Sequence, residues 1–290
     1  MIMNDIYRRQ VALLIRVMPR VFRIKDFAVH GGTAINLFHR NLPRYSVDID
    51  VTYIPLEDRD TSLKKINSHL STLKSAIEKA VPGIRVIHKP DVWKLQCVKD
   101  GTTIKIEVNG TKRGILGDTE KIQLCERAKE EFGMTCFANI VSWSQLYGGK
   151  IAAALSRQHP RDLFDCRGIT SGDFQAVKSG FMLCLLGSDK PIIESIVDNF
   201  DEICSGILII VIIERLVGHS LELVDKSVPL VNRIGLQGFY DWSKCCAGDL
   251  SDYPSVRWKL MNIEKLKSKN TAKHEEGIKK LVDYFNRNKS

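Results

Sequence analysis

The sequence lacks the marks of an exported or membrane-spanning protein. Near its start, only five apolar residues, Val11 to Ile15, precede Arg16, which is too short a run for the hydrophobic part of a secretion signal. The longest apolar run, Ile207 to Ile213, has seven residues, whereas a membrane helix needs about 20. We therefore expect a cytoplasmic protein with no membrane partner.

The eight cysteines also lack the spacings that carry cysteine chemistry. No two of them form a Cys-x-x-Cys motif, and the adjacent Cys245 and Cys246 cannot easily bridge each other. Zinc and a disulfide framework are therefore not expected. Scattered single cysteines fit a reducing compartment, where they act as small apolar residues.

Acidic residues are outnumbered. With 44% hydrophobic and 27% charged residues, the chain has ordinary globular proportions, which exclude a disordered or fibrous protein. Against 34 acidic residues stand 43 basic ones, so the net charge of +9 favours a polyanionic partner such as nucleic acid or phosphates. Residues 257–290 hold ten Lys or Arg against four acids, interleaved with Trp258, Tyr284 and Phe285. This pattern indicates an RNA-contacting helical surface, with a solvated amphipathic helix as the alternative.

The first half of the chain alternates between strands and helices. A helix is predicted near 5–18, a strand at 26–30, a glycine-rich turn that opens a helix to His39, a strand at 46–54 and a helix at 58–80. Three β-rich stretches follow, at 84–88, 92–98 and 102–109. Asp100-Gly101 stands as a hairpin turn between the last two, so the sheet should be mixed.

The second half is predominantly helical. Helical periodicity covers 142–157, 160–168, 173–186, 190–203 and 255 to the end, whereas 216–254 is irregular and could be loop-rich or hold a lid. We predict an α+β protein with a mixed β-sheet domain flanked by helices at 1–140 and a mainly helical domain at 141–290.

Two aspartates on one predicted strand could bind a metal. The period of two in a strand places Ser46, Asp48 and Asp50 on one face, and neighbouring carboxylates suit Mg²⁺, which leaves coordination positions for substrate phosphates. An exposed edge strand with polar outer residues is the alternative. On another predicted strand, Glu107 shares a face with Lys105 and could be a third ligand, or form a cross-strand Lys–Glu pair.

A phosphate site is predicted at Gly31-Gly32-Thr33. Glycines at a strand-to-helix turn let the backbone approach a ligand, and the free N–H groups of a helix start attract phosphate; a purely structural turn is the alternative. Arg40 and Arg44 follow in a loop that could close on a triphosphate, or be simply solvated. His30 and His39 have no third ligand at metal-binding spacing, so we expect them to be core or surface residues.

Another basic residue, Lys150, lies on a predicted helix, and the next predicted helix carries two acidic residues. Asp162 and Asp165 share a face of the helix that begins at Pro160. Lys150 could reach a phosphate while the acids anchor it, or the segment could be a helix hairpin laced by ion pairs.

The combination of these motifs resembles a known family. Gly31-Gly-Thr-Ala-Ile-Asn-Leu37, Arg44-Tyr-Ser-Val-Asp-Ile-Asp50, Ile104-Lys-Ile-Glu-Val-Asn109, and Lys150-Ile-Ala-Ala-Ala-Leu followed by Arg161-Asp-Leu-Phe-Asp165, are similar in order and spacing to the AbiEii/AbiGii nucleotidyltransferase-like toxins. The resemblance covers about 25–170 and, more loosely, the basic C-terminal region. It implies a polymerase-beta-like nucleotidyltransferase domain followed by a helical domain.

The resemblance also implies a function. The chain would be the toxin of a bacterial toxin–antitoxin or phage-abortive system, using a nucleoside triphosphate and Mg²⁺ to transfer a nucleoside monophosphate to RNA, at the 3′ end of transfer RNA in some members. Site residues carried over from the family are Gly32, Thr33 and Ser46 beside the triphosphate, Asp48, Asp50 and Glu107 on the metal, Lys150 on the triphosphate, and Asp162 after it. Gly31 and Arg44 are added as nucleotide-binding residues from the glycine turn and the basic loop.

Two other functions are compatible with the same motifs. One is a non-catalytic nucleotide- or RNA-binding module that acts by sequestration. The other is an enzyme that modifies a protein or a free nucleotide.

Overall fold

The computed structural model describes residues 2–157, 159–166, 169, 174–188 and 250–287. The chain forms two compact units, Met1–Ser142 and Trp143–Ser290, and each is described by itself. The helix predicted at 190–203 and most of the irregular segment 216–254 lie outside the described residues.

Unit 1 contains a single sheet flanked by helices. Its helices are α1 (Ile2–Val21), α2 (Gly31–Ala34, continued by a π-helical turn Ile35–His39), α3 (Arg59–Ala80) and α4 (Glu126–Phe132). Its strands are β1 (Phe27–His30), β2 (Asp48–Tyr53), β3 (Arg85–Lys89), β4 (Lys94–Lys99), β5 (Thr102–Val108), β6 (Glu120–Gln123) and β7 (Phe137–Ile140).

The sheet is mixed, as predicted. Within the described residues its strand order is β3-β4-β5-β2-β1-β7-β6. β2 runs antiparallel to β1 and parallel to β5, and β1 runs parallel to β7. β2 is therefore a central strand with a neighbour on each side, so the alternative of an exposed edge strand for Asp48 and Asp50 is wrong.

The apolar core lies against one face of this sheet. Because strand residues alternate between faces, Ile49 and Ile106 point opposite to Asp48 and Glu107, and both are fully buried. Apolar positions of α1 and α3, such as Leu14 and Leu70, are also fully buried. The acidic residues thus lie on the face away from this core.

The predicted hairpin turn is confirmed. Asp100 and Gly101 have φ angles of 48° and 71°, the pair of positive values that a type I′ turn requires. Lys99 therefore faces Thr102, and this register carries along both strands.

The helix predicted to run from the glycine turn to His39 differs in geometry. After four α-helical residues the backbone widens, and the Arg40 N–H bonds to the Ile35 carbonyl at 2.8 Å. The side chain of the buried Asn36 donates to the Gly32 carbonyl at 2.8 Å, so this carbonyl at the start of the helix accepts a hydrogen bond from a side chain. Widened turns of this kind are frequent at functional sites.

No element is predicted between 110 and 140, yet the structure places β6, α4 and β7 there. β6 has only four residues and alternates too little to be recognised, because three of them are exposed. The segment matters because β7 pairs with β1 on the side away from β2.

Unit 2 is helical in its described part, and the fold class is the predicted α+β. Its helices are α5 (Trp143–Arg157), α6 (Pro160–Cys166), α7 (Phe174–Leu186), α8 (Pro254–Lys269) and α9 (Thr271–Arg287). The helix predicted from 255 to the end is thus two helices, interrupted at Asn270. α5 and α7 cross closely, because a Cβ on Gly148 would lie 2.1 Å from the Phe181 nitrogen. No helix in the described ranges is long and apolar enough to span a membrane.

Candidate active site

The predicted phosphate turn packs directly against the predicted metal residues. Gly31 follows β1 with φ of +73°, and a Cβ there would stand 2.6 Å from Asp50 Oδ2. A Cβ on Gly32 would stand 2.8 Å from Arg44 Nη2 and 2.9 Å from Ser46 Oγ. Only glycine allows this approach, and the structure thereby brings both glycines, Arg44, Ser46 and Asp50 together.

Thr33 fastens the turn to β2. Its fully buried hydroxyl donates to the Asp48 carbonyl at 2.5 Å and lies 3.0 Å from Ser46 Oγ. Because a hydroxyl has one proton to donate, the Thr33 hydroxyl that bonds to the Asp48 carbonyl has no second proton for a phosphate oxygen. Thr33 therefore fixes the position of Asp48 relative to the glycine turn, while its predicted contact with a phosphate stays a prediction.

Register aligns the three predicted metal carboxylates on one face. On the parallel strands β2 and β5, Asp48 lies opposite Lys105, and Asp50 lies opposite Glu107. Burial raises the pKa of Asp48 above its ordinary value; Lys105 lowers this pKa, whereas the charges of Asp50 and Glu107 raise it. The site thus holds carboxylates close enough to disfavour one another's ionisation.

Glu107 already has a partner. Lys94 Nζ on β4 lies 2.7 Å from Glu107 Oε1, so the alternative of a cross-strand Lys–Glu pair describes what the structure contains. Across the described part of the chain, no three His, Cys, Asp or Glu side chains are grouped to hold a metal ion. The carboxylates of Asp48 and Asp50 fit Mg²⁺, which proteins bind through one or two carboxylates together with substrate phosphates. A role for Glu107 as third ligand stays a prediction.

Lys94 is a neighbour of this site that none of the motifs includes, although the hairpin turn contains the signal for it. A two-residue turn at Asp100-Gly101 fixes the antiparallel register, so counting back from the turn pairs Lys94 with Glu107.

The loop between the turn and β2 is held by α4, which was also missed. The Tyr45 hydroxyl donates to Glu131 Oε1, and Arg8 Nε lies 3.3 Å from the same oxygen. Burial and the hydrogen bond to Glu131 raise the pKa of Tyr45. Tyr45 stands between Arg44 and Ser46, so this anchor sets the position of both. No local pattern announces a contact between residues 86 apart in the chain.

The other predicted residues of this loop region have structural surroundings. Arg40 is partly exposed and closes the π-helical turn through its backbone. His30 pairs with Asp50 across β1 and β2. Burial lowers the pKa of His39, so its imidazole is neutral at pH 7.

In unit 2, Lys150 is buried between two carboxylates. Its Nζ lies 2.9 Å from Asp162 Oδ1 and 3.1 Å from Asp165 Oδ2, and the side chains of Lys150 and Asp165 are 7% and 0% exposed. The acids do anchor Lys150, in a triad of net charge −1. This is also what the ion-paired helix hairpin predicts, so the triphosphate role of Lys150 and the catalytic role of Asp162 stay predictions.

The basic C-terminal region is only partly available to a ligand. On α8, Trp258 and Met261 are 44% and 67% exposed. Lys259 is buried and donates to the Ser188 carbonyl at 2.7 Å, so one of the ten cations serves the fold. The side chains of Tyr284 and Phe285 lie outside the described residues.

A family model matches most of the region that carries these motifs. The model, described as "Nucleotidyl transferase AbiEii toxin, Type IV TA system", matches residues 12–204, about two thirds of the chain. The resemblance drawn from the motifs is confirmed, and the chain belongs to the AbiEii nucleotidyltransferase toxin family.

No curated protein matches the chain significantly. Among solved structures, MenT4, a nucleotidyltransferase toxin from Mycobacterium tuberculosis H37Rv, is similar at 15% identity with a TM-score of 0.46. The match covers 66% of this chain and 65% of that chain, so this chain spans slightly less than two thirds of its length.

Proposed function

We propose that this protein is the toxin of a type IV toxin–antitoxin system and transfers a nucleoside monophosphate from a nucleoside triphosphate to RNA, in a reaction that depends on Mg²⁺. The acceptor in this proposal is the 3′ end of transfer RNA, whose modification blocks translation and can abort phage infection. The cognate antitoxin, or its product, is the regulatory partner. Family membership supports the class of reaction.

The observation that carries the proposal is the contact between the glycine turn and β2. The Gly31 Cα lies so near Asp50 Oδ2 that no side chain fits between them. Backbone N–H groups that attract phosphate and carboxylates that bind metal therefore share one small space. A purely structural turn does not require two half-buried aspartates beside it.

Five residues of this space have tasks in the proposed reaction. Asp48 and Asp50 would hold Mg²⁺, which when bound supplies charge neutralisation on the phosphates and activation of the attacking hydroxyl. The N–H groups at Gly31 and Gly32 would orient the triphosphate, and the Arg44 guanidinium would carry part of its charge. The RNA hydroxyl oxygen bonds to the α-phosphorus, its proton leaves to solvent or a nearby base, and pyrophosphate departs with the electrons of the broken P–O bond.

The test is labelling of RNA in vitro. The protein is incubated with each α-labelled nucleoside triphosphate, Mg²⁺ and total transfer RNA, and is compared with Asp48→Ala and with the control Asp118→Ala, which removes an exposed carboxylate elsewhere in unit 1. We expect label in RNA with the unchanged protein and the control, and a loss of at least 10²-fold with Asp48→Ala. Equal labelling by Asp48→Ala would remove the aspartate from the mechanism and the proposal with it.

Growth on expression distinguishes an enzyme from a sequestering module. We expect arrest with the unchanged protein and normal growth with Asp50→Asn, which keeps the size of the side chain but cannot bind metal as a carboxylate does. A binder would still arrest growth with Asp50→Asn. A cytoplasmic location belongs to the same proposal, and it is supported by cysteines such as Cys97 and Cys136, which are free thiols in the described structure.

A further inference from the structure

The open face of strands β3, β4 and β5 has nine positions, which hold four basic residues, one acidic residue and four uncharged residues. The positions that alternate with the core on these strands include Arg85 and Lys89 on β3, Lys94 on β4 and Lys105 on β5, against one acid, Glu107. We call these four cations the basic face. The opposite, core-facing positions include Leu95, Cys97 and Ile106, each fully buried, so the contrast between the two sides is sharp.

Strand register aligns this face with the aspartates. Lys89 faces Lys94, Lys94 faces Glu107, and Glu107 faces Asp50, in one row across four strands. In the adjacent row, Lys105 lies opposite Asp48. With neighbouring strands about 4.8 Å apart, the row from Lys89 to Asp50 is about 14 Å long. In this row the cations Lys89 and Lys94 lie toward the sheet edge, and the acids Glu107 and Asp50 lie toward the centre of the sheet.

The two cations on the edge strand β3 differ from Lys94 and Lys105 in their surroundings. Lys94 forms an ion pair with Glu107, with 2.7 Å between Nζ and Oε1, and the charge of Lys105 lowers the pKa of Asp48. Arg85 and Lys89 are both exposed, and no acidic side chain of the described residues forms an ion pair with either. Two exposed cations on one edge strand, without an acidic partner, are complementary to the phosphates of a nucleic acid.

We propose that the basic face binds the phosphate backbone of the RNA acceptor and directs the RNA toward Asp48 and Asp50. This inference rests on the proposed function, since it names the surface that receives the acceptor. It places the contact on unit 1, in addition to the basic C-terminal helices. The competing explanation is that cations on the edge strand β3 prevent pairing between sheets of different molecules, which requires no ligand.

The test is RNA binding that does not depend on catalysis. Fluorescence anisotropy with labelled transfer RNA compares the full chain with the double variant Arg85→Gln/Lys89→Gln. The control Lys64→Gln/Lys79→Gln removes the same charge from exposed positions on α3, which packs on the opposite side of the sheet. Circular dichroism and thermal unfolding establish that both variants are folded.

We expect the Kd for RNA to rise about tenfold in the double variant and less than twofold in the control. The slope of log Kd against log salt should fall by about 1.4, because each lost contact to a single strand contributes about 0.7. In the labelling assay, KM for RNA should rise while KM for the nucleoside triphosphate and kcat at saturating RNA stay unchanged.

Failures of the two proposals give different results. If the unchanged protein binds RNA through the basic face but labels none, the proposed reaction is wrong and the surface stands. If it labels RNA while the double variant binds with unchanged Kd and salt slope, the surface is wrong and the edge-strand explanation holds. An equal rise of Kd in the control would also overturn the proposal, because only net charge would then matter.

Discussion

Gly31 offers a perturbation that separates the stability of unit 1 from its chemistry. In Gly31→Ala, the backbone must keep φ of +73°, which costs an L-residue about 1–2 kcal/mol. The new Cβ would also stand 2.6 Å from Asp50 Oδ2, where ordinary contact begins at 3.4 Å. The carboxylate is the far end of a flexible side chain, so it can move and the fold can survive. It must move by about 0.8 Å, the difference of these two distances.

This displacement predicts a loss of activity much larger than the loss of stability. A misplacement of about 1 Å in a catalytic constellation can cost about 10²-fold in rate. We therefore expect Gly31→Ala to lower the free energy of unfolding by about 1–2 kcal/mol and the rate of RNA labelling by about 10²-fold. Urea denaturation measures the former, and the labelling assay with Mg²⁺ measures the latter.

Gly133→Ala is the matched control. Gly133 ends α4 with φ of +60°, and a Cβ there would meet nothing within 4 Å. It should lose a similar free energy of unfolding and keep its labelling rate within about twofold. Equal rates for the two variants, whether both high or both low, would refute the argument, since the contact with Asp50 would then have no specific consequence.

Two substitutions and one chemical modification test other parts of the structure. Lys150→Met should lower the free energy of unfolding of unit 2 by about 3–5 kcal/mol, because it leaves the buried carboxylates of Asp162 and Asp165 without their ammonium group. Urea denaturation measures this loss, and a loss below about 1 kcal/mol would contradict the prediction. Asp48→Asn should raise the melting temperature at pH 7 without metal, because a carboxyl whose pKa is raised in the folded state destabilises the fold once it ionises. The gain should vanish below about pH 4, the pKa of an aspartate in the unfolded chain, and a gain that persists there would contradict the prediction. Burial raises the pKa of Cys97 and of Cys136 to about 12, so at pH 8 about one thiol in 10⁴ is ionised, and mass spectrometry should find both alkylated by iodoacetamide only after unfolding.

Local patterns were enough to predict the elements around the site. The strict alternation of 46–54 and Pro55 after it predict a strand there, and the structure has β2 at Asp48–Tyr53. α3 was predicted at 58–80 and spans Arg59–Ala80, because the Asp58 side chain accepts from the Thr61 N–H at 2.9 Å and Pro82 stops the helix. Capping and turn chemistry act within a few residues, so the sequence displays them directly.

What the sequence could not display is contact between distant segments. The hydrogen bond from Tyr45 to Glu131 fixes the loop that carries Arg44 and Ser46, and it depends on α4, in a segment for which no element was predicted. The burial of Lys150 is similar, because the sequence suggests its pairing with Asp162 and Asp165 but does not show that all three side chains are buried. Periodicity identifies a face of a helix, and only packing decides what covers that face.

The distribution of charge explains why a chain of net charge +9 should have a half-buried acidic site. Ionised Asp48 is disfavoured by burial and by the charges of Asp50 and Glu107, and Lys105 offsets only part of this cost, since the net effect still raises the pKa of Asp48. A fold that depended on these acids for its stability would pair each with a cation, as it pairs Glu107 with Lys94. A bound divalent cation would relieve the same repulsion, and Asp48 would then ionise fully. The melting temperature of the unchanged protein should therefore rise on adding Mg²⁺, whereas that of Asp48→Asn, which has already lost the repulsion, should rise less.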